Sequence, residues 1–90
     1  MATQKKVYVG KGTHYFPKAA VGQFKIEAYD IKVGDKILVT GPSTGAQEML
    51  IEEMYVNDVV GDKATKGDDC TLKLPFRIRM SDKLYKIVES

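Results

Sequence analysis

One cysteine, one histidine and no tryptophan occur in the 90 residues. Cys70 alone cannot close an internal disulfide or build a thiolate metal site. His14 alone excludes a catalytic histidine pair and a multi-histidine metal centre. No apolar run approaches the roughly 20 residues of a transmembrane helix, and the opening Met-Ala-Thr-Gln-Lys-Lys has no apolar block behind its lysines. Membrane association and export are therefore not expected, and the expected location is cytoplasmic. Linkers, low-complexity runs and internal repeats are missing too. The length suits one domain over residues 1–90, with a core from about 6 to 88, since domains usually run to about 100 residues or more. With no disulfide or metal, stability must come from a compact core, and 43% apolar with 29% charged residues is a globular composition.

A strong charge of either sign is also lacking, because 14 Lys+Arg face 12 Asp+Glu for a net +2. That is far from the footprint of an obligate nucleic-acid binder. The distribution is uneven, however. Residues 1–36 hold seven lysines and three acids, 37–62 hold five acids and no base, and 63–90 hold seven bases and four acids. If the two ends lie side by side, their cations share a weakly basic face; otherwise they are scattered solubilising charges.

Short apolar runs separated by turn-forming residues point to an all-β chain. Lys6 to Phe16, with Gly10 and Gly12 marking bends, and Ala20 to Glu27 read as a hairpin broken at Pro17-Lys18. Ile31-Lys32-Val33-Gly34-Asp35 turns into a strand over Ile37 to Thr40 that stops at Gly41-Pro42. Lys66-Gly67-Asp68-Asp69 repeats that turn chemistry before Cys70 to Leu74, where Cys70, Leu72 and Leu74 share one face. Phe76, Ile78 and Met80 alternate with Arg77 and Arg79 as an amphipathic strand, and Ser81-Asp82 turns into Lys83 to Val88. Residues 46–54 are strong helix formers, and Thr44 with Gln47 fits a capping box. The following Tyr55-Val56-Asn57 favours β.

Three fragments in order, Lys32-Val-Gly-Asp-Lys-Ile-Leu-Val-Thr-Gly41, Ile51-Glu-Glu-Met54 and Ala64-Thr-Lys-Gly-Asp-Asp-Cys-Thr-Leu-Lys73, resemble the second, β-barrel domain of translation-factor GTPases such as elongation factor Tu. Met80 to Ile87 looks like that domain's last strand. Val9-Gly-Lys-Gly-Thr-His-Tyr-Phe-Pro-Lys18 with the strand Val21 to Ala28 is similar to the opening of the C-terminal barrel of the collagenase-like peptidase family, whose members are linked to RNA hydroxylation. The likeness covers most of residues 7–88. Lys11 stands where those barrels usually carry an apolar residue, and the larger enzyme domain lies outside these 90 residues. The resemblance implies a six-stranded closed antiparallel barrel of the translation-factor domain 2 type, with residues 46–56 in a strand.

Catalytic chemistry is thin. Cys70 could pair with His14 as nucleophile and base, but its alternation with Leu72 and Leu74 predicts an apolar face where a thiol is inert. Glu52-Glu53 and Asp68-Asp69 are neighbours that point to opposite faces of a strand. Gly41-Pro-Ser-Thr-Gly45 lacks the Gly-Lys-Ser/Thr ending of a phosphate loop, which excludes a GTPase. No metal and no cofactor is expected, and no enzyme. The aromatics His14, Tyr15 and Phe16 have two readings, as a stacking surface for unpaired bases or as a plug in the barrel end. Arg77 and Arg79 have two as well, a phosphate clamp or the wet side of a strand.

The expected function is a non-catalytic module that binds RNA or a ribonucleoprotein, or docks on a larger RNA-modifying enzyme subunit. Candidate RNA-binding residues are Lys5, Lys6, Lys11, His14, Tyr15, Lys18, Arg77, Arg79, Lys83 and Lys86, with no readout of DNA sequence. The alternative is a protein-interaction module or homo-oligomer using the acidic middle, Glu48, Glu52, Glu53 and Asp58.

Overall fold

The structure is a computed structural model that describes residues 4–89. Ten strands follow one another: β1 (Gln4–Phe16), β2 (Val21–Ile26), β3 (Asp30–Lys32), β4 (Lys36–Gly41), β5 (Gly45–Leu50), β6 (Met54–Val56), β7 (Val59–Gly61), β8 (Lys63–Thr65), β9 (Asp69–Lys73) and β10 (Lys83–Glu89). No helix occurs among the described residues, so none is long and apolar enough to cross a membrane. Eight strands form one sheet in the order β5-β4-β10-β1-β2-β9-β6-β7, and β3 pairs with β8 apart from it. Every ladder is antiparallel.

Alternation sorts the faces. Phe24 and Ile26 of β2, Ile37 and Val39 of β4, Cys70 and Leu72 of β9, and Leu84 of β10 are buried in one continuous core. The long strand β1 serves two partners, β10 along its first half and β2 along its second, and its register shifts between Tyr8 and Gly10 and between Gly12 and His14. Each shift adds a residue to one side of the ladder, which bends the strand and re-aims its side chains. Gly10 is needed at the crossing, because a Cβ there would run into the main chain of Lys25.

The expected strand over 46–56 is met in two pieces. β5 pairs with β4 at one end of the sheet order, Ile51 to Glu53 leave the ladder, and β6 then pairs with β9 near the other end. The chain therefore wraps from one end of the sheet to the other, giving a compact barrel-like body. No ladder joins β5 to β9, and ten strands stand where six were expected. Helix propensity loses here because β4 offers β5 a full ladder, and because Ile51 is buried with its N–H and C=O bonded to Asp35 and Gly34.

Phe76 to Met80 is not a strand. Pro75 interrupts the chain after β9, and in the extended loop that follows only Ile78 is buried, its Cδ1 packed where Gly12 and Gly22 carry no side chain. Met80, expected on the core side, is 75% exposed. One hairpin and one long-range pairing also went unforeseen. Asn57 and Asp58 join β6 to β7 with φ of 52° and 68°, the paired positive values of a type I′ turn. The second new pairing is β3 with β8.

One turn recurs three times, at Lys32-Val-Gly-Asp35, Thr65-Lys-Gly-Asp68 and Arg79-Met-Ser-Asp82, each leading into a strand of the main sheet. The third residue has positive φ in all three, 98° at Gly34, 95° at Gly67 and 73° at Ser81. The aspartate N–H donates to the first residue's carbonyl, at 3.0, 2.9 and 3.1 Å in chain order. Its carboxylate accepts the first residue's N–H, at 3.0, 2.9 and 2.9 Å. The third N–H and fourth carbonyl then clasp one residue of another segment: Ile51, Ile26 and Gly12 respectively. Asp82 alone is buried, and it also accepts the hydroxyl of Thr44; a Cβ on Gly41 would collide with its carboxylate.

These turns generate two predictions. Ser81→Gly should stabilise the fold by about 1 kcal/mol, since the left-handed conformation costs a side-chain-bearing residue roughly 1–2 kcal/mol and glycine's added chain entropy offsets only part of it. Gly41→Ala should destabilise by about 3 kcal/mol through overpacking. Urea unfolding reads both, and unchanged midpoints would contradict the turn geometry.

Acid stability gives a third. Hydrogen bonding from the Thr65 main chain, reinforced by Asn57, holds the Asp68 carboxyl below its ordinary 3.8. A lowered folded pKa contributes stability above 3.8 that is lost as pH falls through the folded value. Asp68→Asn should therefore shallow the fall in stability below that pH, measured by thermal melts, and an unchanged acid limb would contradict it.

Candidate functional site

The shifted register of β1 aligns lysines from three strands. Lys83 of β10 stands opposite Lys11 of β1, and Lys11 stands opposite Lys25 of β2. Buried Leu84, Gly10, Gly12, Phe24 and Ile26 flank these positions, so all three lysines project from the outer face. Like charges directly opposite on neighbouring strands are destabilising, which marks the row as unusual. Lys25 is partly neutralised, by Asp69 at 3.8 Å and the Gly67 carbonyl at 3.0 Å. Lys11 and Lys83 are exposed and have no carboxylate partner among the described residues.

Aromatics border the row on both sides. Tyr8 and Tyr85 meet edge to face with centroids 5.9 Å apart, and the Lys6 ammonium lies 4.7 Å from the Tyr85 ring centre. The Tyr8 hydroxyl donates to Glu27, and that bond, with burial next, pushes its pKa to about 12. The phenol stays neutral beside the lysines. Beyond the row, His14 and Phe16 stack edge to face at 4.3 Å, both exposed.

The structure separates the expected residues. Lys6, Lys11, His14 and Lys83 share this outer face. Tyr15 points to the other side, half-buried against the core, with the Arg77 guanidinium 6.0 Å from its ring centre. Strand alternation thus divides the aromatic triplet into one plug and two outer rings. Lys18 is exposed in the β1–β2 turn, and Lys5 is exposed opposite Val88 on the face away from Lys6. Arg77 and Arg79 are exposed on either side of Ile78 but lie on a loop, so the shared strand face expected for them is absent.

Lys86 does not belong to a basic surface. Its ammonium lies 3.4 Å from Asp30 and 3.6 Å from Asp35, and Lys63 also pairs with Asp30 at 3.2 Å. Lys63, foremost, and Lys86 hold the Asp30 carboxyl below its usual range. Lys86 faces inward with Leu84 because its position on β10 has the same parity, which a count of lysines does not register. Tyr8, Tyr85 and Lys25 joined the site unforeseen, since they meet Lys11 only through the shifted pairing of β1.

Cys70 lies in the core with its sulfur 3.5 Å from that of Met54. Burial, and secondarily the charge of Asp68, pushes its thiol to about 12. It faces inward opposite Phe24 while His14 faces outward, so the two do not form a nucleophile and base. No group of three or more His, Cys, Asp or Glu fit to hold a metal occurs among the described residues. In the acidic middle, Glu48 pairs with Lys36 at 3.7 Å, Asp58 sits in the β6–β7 turn, and Glu52 and Glu53 border a groove.

No protein-family model matches the chain. It is 41% identical over 85 residues to a collagenase of Porphyromonas gingivalis, a match covering 94% of the chain and 20% of that protein. It is 29% identical over 86 residues to an uncharacterized protease of Methanocaldococcus jannaschii, covering 96% of the chain and 21% of the protease. The chain spans about a fifth of the length of the curated relatives it matches. Among solved structures, it superposes on the C-terminal domain of a Geobacillus thermoleovorans protein described as a U32 peptidase, with a TM-score of 0.81 and 17% identity, covering 88% of this chain and 90% of that one. At that identity the likeness is one of fold. Its sequence relatives are collagenase-type proteins, and it shares its fold with a U32 peptidase C-terminal domain.

Proposed function

We propose that the chain is a non-catalytic module, one barrel-like domain, that holds single-stranded RNA on the outer face of β10, β1 and β2. What carries this reading is the row Lys83, Lys11, Lys25 between the Tyr8–Tyr85 and His14–Phe16 pairs. Spaced cations follow a phosphate backbone, while exposed rings stack on unpaired bases without demanding a sequence. The resemblance to a barrel attached to RNA-modifying enzymes and to the second barrel of elongation factor Tu supports the same choice of ligand. In this reading the module acts in the cytoplasm as the RNA-gripping tail or partner of a larger enzyme. Lys18 extends the cationic surface at its margin, while Lys5 faces the other way.

The expected binding is weak and electrostatic. Engaging about four phosphates gives a slope of log affinity against log salt near −3 for single-stranded RNA. Lys11→Ala with Lys83→Ala should lower affinity and flatten the slope by about 1.4. The melting temperature should hold or rise slightly, because opposed like charges are relieved. Arg77→Ala, beside Tyr15, should leave the slope unchanged. Absence of salt-sensitive RNA binding at low salt would overturn the proposal in favour of a protein-interaction module.

The non-catalytic part has its own test. Cys70 should react slowly with a thiol reagent in the native protein and quickly in denaturant. Fast native labelling would reopen an enzymatic reading.

A further inference from the structure

β5 ends the main sheet: one edge pairs with β4, and the other has no ladder partner among the described residues. In an antiparallel strand alternate residues turn their N–H and C=O away from the partner, so half of β5 offers free donors and acceptors. The strand reads Gly-Ala-Gln-Glu-Met-Leu, and every residue except Met49 is exposed. It has no lysine, proline or bulge to blunt the edge. Its only charge, Glu48, is turned toward Lys36 of β4. The sequence also prefers helix, so β5 is held as a strand by one neighbour, against its local preference.

Beside this edge, between the end of β5 and the tail of β9, runs an open groove of about 680 Å³. Met49, Leu50, Leu74 and Pro75 form apolar walls, Glu52 and Glu53 border it, and Lys73 is its single cation. It lies between β5 and β9, which no ladder joins. The geometry points to a docking site for an extended, lysine- or arginine-bearing segment of a partner protein, added to β5 as a new strand.

Three features select that occupant. The free edge supplies a row of main-chain hydrogen bonds, which an extended peptide satisfies and a compact ligand does not. The apolar walls accept alternate side chains of such a strand. The charge is complementary to a basic segment, since Glu52 and Glu53 border the groove against the single cation Lys73. A second copy is disfavoured because its own β5 carries Glu48 as its only charge and so brings no cation to the groove. The groove is separate from the lysine row, which lies on β10, β1 and β2, so either proposal can fail without the other.

The test uses two synthetic peptides matched to the six residues of β5, one alternating lysine with valine, the other alternating glutamate with valine. Backbone amide resonances, hydrogen exchange and sedimentation are followed on the full chain. The basic peptide should shift amides of residues 45–53 and 73–74, slow exchange along β5 and leave the protein monomeric. The acidic peptide should bind about tenfold more weakly, and Glu52→Lys with Glu53→Lys should reverse that order. A basic peptide N-methylated on alternate nitrogens should lose binding, because it cannot complete the ladder. Equal binding of the two peptides, undisturbed β5 amides, or a dimer that buries β5 would each overturn the proposal.

Discussion

Three aspartate-closed turns hold the sheet together. Each fixes the entry to a strand, β4 after Asp35, β9 after Asp68 and β10 after Asp82. Each also clasps a residue far away in sequence with two main-chain hydrogen bonds, so local closure and long-range pairing are made by the same four residues. A typical hydrogen bond contributes only about 1 kcal/mol net. The turns matter because they set register, and a one-residue slip would send every alternating side chain to the wrong face.

The third turn shows how far the arrangement is defended. Its aspartate is buried, which without partners would be costly. Arg79 and Thr44 supply donors, and Gly41 supplies the room. The turn's main chain grips Gly12, the residue beside the second shift of β1. The geometry that fixes the β10 entry thus also fixes β1 where it changes partner from β10 to β2. The lysine row is a consequence, because Lys11 meets Lys83 on one side and Lys25 on the other only in that register.

Charge is divided around the body. The outer face of β10, β1 and β2 carries opposed lysines beside neutral aromatics, while the groove next to β5 is bordered by acids. Lys63 and Lys86 are paired with Asp30, and Lys86 with Asp35 as well, so the total of lysines overstates the positive surface. A net charge of +2 conceals these local differences. Each surface keeps a feature that folding alone would disfavour, opposed like charges in one and an open strand edge in the other.

Much was written in local pattern. The all-β class follows from short apolar runs and turn residues, the burial of Cys70 from its alternation with Leu72 and Leu74, and two of the three turns from Gly-Asp pairs. These are interactions between near neighbours, and spacing along the chain reports them. Local pattern did not show that Met80-Ser81-Asp82 repeats the glycine turns, since serine does not advertise a positive φ. It also gave residues 46–54 to a helix, which pairing with β4 and β9 overrules. The inward aim of Lys86, the division of His14 and Phe16 from Tyr15, and the meeting of Lys11 with Lys83 and Lys25 were decided only by tertiary structure. Strand register and bulges are properties of two segments at once, so neither sequence alone contains them.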